Sequence, residues 1–319
     1  MSGRLLCCCC PSMGLVDDGR AVFVISVHMP PGDASSSSAS DAGGNWPGWS
    51  SMARLLPSYV SSFSSDFHGS GRSKGGMCTQ VLLAVMRSVE TRKPGSWRDV
   101  TFEHLLASMQ DLLRPAGLDA AVLTVRSSGF LSGQYLGAAF PLSGAPDPNN
   151  NNSRSSIRRA LLIGACYPGS ELELRGSWND CEDMHDWLVY QQLFGLEQVR
   201  VLTDRPGSGS RELPTRRNVL AQLRWLFSAS SSRKERPDCC DASLDEGGGH
   251  LFLHFSGHGD NGELLPSDWA DSGPITEKQL ADIVARELPT GVTLTCVFDC
   301  CDSSLLLHSL SHKLQIGGG

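Results

Sequence analysis

The chain has 319 residues, enough for one large or two small domains with a real core. Its net charge of -7 disfavours a nucleic-acid partner, because no basic field offsets phosphate repulsion. Apolar runs such as 160–166 and 120–125 are too short to span a bilayer, and the opening residues lack the sustained apolar region of a secretion signal, so a cytoplasmic chain is expected. The 12 cysteines include Cys7 to Cys10 in a row, Cys239-Cys240 and Cys300-Cys301. Adjacent cysteines bridge poorly, and no CxxC pair is matched at zinc spacing, so reduced thiols are the simplest account.

In chain order, residues 1–19 read as a disordered Cys-rich terminus, and 29–72 as a Ser-, Gly- and Pro-rich insert. Around that insert, 21–27 reads as a strand and 76–90 as a helix through Cys78, Val81, Leu82, Val85 and Val89. The Leu-rich period of Phe102, Leu105, Met109 and Leu113 marks a second helix, with strands at 120–125 and 135–140. Residues 143–156, with four consecutive Asn, read as a flexible linker between a smaller part (20–142) and a larger one (157–312).

The larger part alternates strands and helices. Strands are expected at 159–164, 199–202, 250–255 and 292–298. Between them lie helices marked by Trp178, Cys181, Met184 and Leu188, by Val219, Leu223 and Phe227 after Pro214-Thr215, and by Leu280, Ile283 and Val284. This β-α-β-α-β-α-β order implies an α/β fold: a mainly parallel sheet with helices on both faces.

Chemistry in such sheets gathers at the carboxyl ends of strands. Two strands end in reactive groups, one at Ser256-Gly257-His258-Gly259 and one at Asp299-Cys300-Cys301. The glycines let the backbone turn tightly around the histidine. If the two strands adjoin, an imidazole and a thiol share one crevice, the minimum for a thiolate nucleophile with its base. A histidine in a Gly-rich turn or a cysteine at a strand end is, taken singly, more often structural. Their order on consecutive strands is what carries the argument.

The segments RALLIGACYPGSELELRGSWND, VRVLTD, PTRRNVLAQLRWL, LFLHFSGHGD and LTCVFDCCDS resemble the large subunit of the metacaspases. The resemblance implies a caspase-like three-layer sandwich and a cysteine endopeptidase with His258 as base and Cys301 as nucleophile. It further implies Gly257 and Gly259 as turn or oxyanion groups, and protein or peptide substrates cut after Arg or Lys. Asp180, Asp299 and Ser256 match its substrate-pocket positions, a carboxylate pair being what a basic side chain needs, and Ser177 stands where the family has a cysteine near the pocket. The segments AVFVIS, GRSKGGMCTQVLLAVMRS and TFEHLLASMQDLLRPAGL resemble the same family's small subunit, here placed first, as in the rearranged type III metacaspases. A monomer is implied, and Arg233-Lys234 and Arg236 offer self-cleavage sites. Three departures stand out: Asp302 and Ser304 replace His and Gly after the nucleophile, and the calcium-linked acidic pair reads Glu277-Lys278. A Lys ammonium cannot join an oxygen-ligand calcium site, so calcium would have to rest on Asp260, Glu263, Asp268, Asp271 and Glu277. The dyad itself needs no cofactor. Asp302 also motivates the alternative of a catalytically weak or inactive caspase-fold regulatory protein, since added negative charge disfavours a thiolate.

Overall fold

In the computed structural model, the structure describes residues 21–28, 75–93, 96, 100–114, 122–123, 157–191, 193–228, 249–289 and 292–301. The strands are β1 (Ala21–His28), β2 (Val122–Leu123), β3 (Arg158–Gly164), β4 (Val199–Thr203), β5 (Gly249–Ser256), β6 (Gly259–Asp260), β7 (Glu263–Leu264) and β8 (Val292–Asp299). The helices are α1 (Met77–Arg92), α2 (Phe102–Leu113), α3 (Ser177–Tyr190), α4 (Arg216–Phe227), α5 (Trp269–Ser272) and α6 (Glu277–Glu287). The strand expected at 135–140 and the linker at 143–156 lie outside the described residues.

Six strands form one sheet in the order β2-β1-β8-β5-β3-β4. β1, β8, β5, β3 and β4 run parallel, and only β2 is antiparallel, to β1. Strand β1, from the part of the chain before the Asn-rich segment, is therefore not in a sheet of its own. It pairs with β8 from Ala21↔Thr293 to Ser26↔Phe298.

The central strands read as continuous apolar runs because both their faces are covered. Ala160, Leu162, Phe252 and Val297 face one way, into a core shared with α1, α2 and α3. Leu161, Ile163, Leu251, Leu253, Phe255, Leu294 and Phe298 face the other way, against α4 and α6. Period-two alternation thus feeds two cores, and each fully buried Leu or Phe contributes about 1.5–3 kcal/mol to the stability.

Helix starts follow the sequence closely. Thr101, Thr215 and Thr276 cap α2, α4 and α6 by accepting the N–H groups of His104, Asn218 and Gln279. Helix α3 differs in one respect. Trp178, expected on its apolar face, is only half-buried and donates its indole N–H to Asp204 at 2.7 Å. The short ribbon β6–β7 and helix α5 had no apolar period to announce them.

From β3 the chain moves outward to β4, then returns to lay β5 and β8 on the other side of β3. The direction reverses between β3 and β5, the kind of point at which open α/β sheets place their ligands, at the carboxyl ends of the strands. The segments after β3, β5 and β8 all emerge at that edge.

Candidate active site

Strands β5 and β8 are parallel neighbours from Gly249↔Val292 to Ser256↔Asp299. Their tips therefore leave the sheet side by side. Gly257 donates its N–H to the Asp299 carbonyl at 3.3 Å. On the other side of His258, Gly259 packs so closely that an added Cβ would run into the Cys301 carbonyl and lie 3.1 Å from the Cys300 sulfur. The histidine turn is thus clasped on both flanks by residues 299–301. Gly257 has its N–H engaged by Asp299, and Gly259 begins the β6–β7 ladder opposite Leu264.

The two adjacent cysteines separate by environment. Cys300 is half-buried and packs against the core under α4 and α6, whereas Cys301 is exposed. The other described cysteines, Cys78, Cys166, Cys181 and Cys296, are buried. Burial pushes the Cys166 thiol up to about 12, and pushes Cys181 and Cys296 up as well. One of these also touches an imidazole: Cys181 Sγ lies 3.9 Å from His254 Nδ1. That pair has no solvent exposure, and burial depresses His254 to about 3, so it is a neutral core contact without nucleophilic character.

His258 is oriented by groups from two other segments. Its Nε2 is 2.8 Å from the Leu172 carbonyl, which can only accept, so Nε2 carries the proton and Nδ1 is left as the basic nitrogen. Its backbone N–H donates to the Tyr167 hydroxyl at 3.0 Å, and that hydroxyl donates onward to the Leu265 carbonyl at 2.6 Å. Neither Leu172 nor Tyr167 was singled out in the sequence. A backbone carbonyl carries no signal there, but an aromatic residue just past the end of β3, beside the switch point, is one.

The acidic positions come together on the sheet face beneath these tips. Ser256 Oγ donates to Asp180 Oδ2 at 2.7 Å. Asp180 also accepts the Gly76 N–H on both oxygens, at 2.9 and 2.8 Å, and Gln80 Nε2 at 3.3 Å. Asp299 Oδ2 accepts the Thr79 N–H at 2.8 Å. Helix α1 has no capping side chain of its own at Gly76, and these two carboxylates satisfy its first turn from a distance. Burial, and then the Asp299 charge, holds the Asp180 carboxyl well above the usual carboxylate range, against the Ser256 and Gly76 hydrogen bonds. Burial likewise raises the carboxyl of the half-buried Asp299, against hydrogen bonds from Thr79.

Asp180 itself has no solvent exposure, because Gly75 and Gly76 lie across it. A Cβ on Gly75 would strike Asp180 Oδ1, and one on Gly76 would strike the Asp299 carboxylate. Ser177, the first residue of α3, is buried, and its hydroxyl reaches the Cys166 thiol.

The calcium candidates are dispersed. Asp260 and Glu263 face each other across β6–β7, and Asp271 and Glu277 lie in α5 and at the start of α6. Asp268 is occupied by the Arg216 N–H at 2.7 Å and the Ser272 hydroxyl at 2.8 Å. Among the described residues, no three His, Cys, Asp or Glu side chains gather at metal-binding geometry. Asp302, Ser304, Arg233, Lys234 and Arg236 lie outside the described residues.

A thiol and an imidazole at adjoining strand tips, over a carboxylate pair, agree with the comparison to known proteins. The metacaspase, peptidase C14 domain matches residues 158–310. This chain carries a metacaspase domain. Metacaspase-1 of Saccharomyces cerevisiae is 30% identical over 179 residues, covering 52% of this chain and 38% of that protein. Metacaspase-1 of Mycosarcoma maydis is 34% identical over 169 residues, covering 49% and 38%. Metacaspase III c of Phaeodactylum tricornutum is 30% identical over 253 residues, covering 73% of this chain and 64% of that protein. The chain thus spans between about two fifths and two thirds of these curated relatives' length. Among the described residues, no helix is long and apolar enough to cross a membrane.

Proposed function

We propose that this protein is a cysteine endopeptidase that cuts peptide bonds after Arg or Lys, with Cys301 as nucleophile and His258 as general base. The observation that carries this reading is the parallel register Ser256↔Asp299, which sets the two strand tips side by side. The exposure of Cys301 against the half-burial of Cys300 supports the choice between them.

With the Nε2 proton held by the Leu172 carbonyl, Nδ1 takes the Cys301 proton. The sulfur then bonds to the scissile carbonyl carbon, and Gly259 at the clasped tip is the candidate donor to the developing oxyanion. As the C–N bond breaks, the imidazolium returns its proton to the leaving amine. Water next gives a proton to Nδ1, adds to the thioester carbon and expels Cys301, which recovers that proton as the acid leaves. Asp299 meets the substrate cation with Asp180 behind it, and the arriving cation favours the ionised carboxylates that burial alone disfavours.

The small-subunit-like part before the catalytic part is read as a type III arrangement. Support comes from β1, which precedes the matched domain yet pairs with β8, and from the longer span shared with metacaspase III c. We further read the protein as a cytoplasmic monomer that processes itself at Arg233-Lys234 or Arg236 and works without calcium, Lys278 and the occupied Asp268 both opposing an ion there. One observation favours the second reading, a regulatory protein on this fold: Asp180 is closed off by Gly75 and Gly76.

Fluorogenic peptides ending in Arg, Lys or Asp, with and without calcium, test the proposal. Turnover of the Arg and Lys peptides alone, lost in Cys301→Ala and His258→Ala, is expected. No turnover of any of them favours the regulatory reading.

A further inference from the structure

Tyr167 stands just past the end of β3 and holds an unusual backbone. Its φ of 53° is in the left-handed region, where a bulky side chain is disfavoured and persists only if its surroundings impose it. Asp204 does so: one buried carboxylate accepts the N–H groups of Cys166, at 2.8 and 3.1 Å, and of Tyr167, at 2.8 Å. The effect is to send the Tyr167 side chain to the histidine turn.

There it meets His258 in three ways. The hydroxyl accepts the His258 N–H and donates to the Leu265 carbonyl, a bridge between two points of the turn. The phenol ring lies 5.0 Å from the imidazole, tilted by 35°. The Tyr167 carbonyl accepts the N–H of Ser170 at 3.1 Å and its hydroxyl at 2.8 Å, while Ser170 Oγ accepts the Leu172 N–H at 3.2 Å. That turn delivers the Leu172 carbonyl to Nε2. Gly257 completes the fit, because a Cβ there would come within 3.0 Å of the Tyr167 hydroxyl.

We propose that Tyr167 is a positioning residue that fixes the ring orientation and proton tautomer of His258 from both sides of the imidazole. The kinetic part of the test rests on the peptidase reading above, whereas the spectroscopic part does not.

Tyr167→Phe keeps the ring and removes the hydroxyl bridge. Nitrogen NMR of the ¹⁵N-His-labelled chain, with His258 assigned by its loss in His258→Gln, is expected to show one Nε2–H tautomer in the parent. In Tyr167→Phe the same resonances broaden or move toward a tautomer mixture. On Arg peptides, kcat falls by about 10- to 100-fold with KM within about twofold, since misplacing a base costs rate rather than binding. Unchanged His258 resonances in Tyr167→Phe overturn the proposal, whatever the kinetics. Shifted resonances in a chain that cuts no peptide uphold the positioning role and overturn the peptidase reading instead.

Discussion

Asp299 accepts the backbone N–H of Thr79 at 2.8 Å, across 220 positions of sequence. One carboxylate thereby does two things. It precedes Cys300-Cys301 at the end of β8, and it caps the first turn of α1 from the other end of the chain. The acidic pair proposed to grip a substrate cation is also the joint between the N-terminal elements and the catalytic sheet.

Removing that joint has a measurable cost. Asp299→Ala strips a charged cap from α1 and is expected to lower stability by about 1–2 kcal/mol, read as a lower urea midpoint at unchanged m-value. Asp299→Asn keeps an acceptor for Thr79 and loses less, yet still raises KM for Arg peptides. Equal stability losses in the two variants contradict the capping role.

Gly75 and Gly76 are required by proximity rather than by backbone angle. Alanine at either position drives a methyl into Asp180 or Asp299, and overpacking of this kind costs about 1–3 kcal/mol. Thermal unfolding of Gly75→Ala and Gly76→Ala checks this. Midpoints equal to the parent's would mean that the segment does not lie across the acidic pair.

His254 predicts an acid limb in the stability curve. Its folded pKa is about 3 against an ordinary 6.5, because it is buried beside Thr79 Oγ1, 2.9 Å from Nε2. Below pH 6.5 the unfolded chain binds a proton there that the folded chain refuses. Stability is therefore full above that pH and is lost as pH falls toward about 3, by about 1.4 kcal/mol per unit. The raised Asp180 and Asp299 carboxyls act in the opposite sense: their stabilising protons are lost as pH rises from the ordinary carboxylate value through their folded ones. Subtracting the urea-denaturation curve of His254→Gln from the parent's isolates the histidine contribution, and a flat difference between pH 4 and 6.5 contradicts it.

Calcium provides a fourth check. Chelation by EDTA, followed by added calcium, is expected to leave the rate on Arg peptides unchanged within about twofold, since oxygen ligation is opposed by Lys278 and Asp268 is already bonded. Activity that returns only with calcium contradicts this.

Much of this was legible in the sequence because it rests on short-range pattern. Continuous apolar runs marked β3, β5 and β8, Pro214-Thr215 marked the start of α4, and the abrupt endings at SGHG and DCC marked the reactive strand tips. What stayed hidden depends on tertiary contact. The capping of α1 by Asp299, the closure of Asp180 by Gly75 and Gly76, and the Leu172 carbonyl on His258 join residues 86 to 220 positions apart. The ribbon β6–β7 is too short for any periodicity, and Tyr167 owes its role to a left-handed backbone that Asp204 imposes from β4's far end.

Treating the intact chain at neutral pH with an Arg-based acyloxymethyl ketone, and mapping the adduct by peptide mass spectrometry, tests whether Cys301 is the nucleophile that His258 activates. One fast adduct is expected, on Cys301, slowed at least about tenfold in His258→Ala, with Cys166, Cys181 and Cys296 unlabelled until the protein is denatured. An adduct on Cys300, or equal labelling of Cys301 with and without His258, contradicts it.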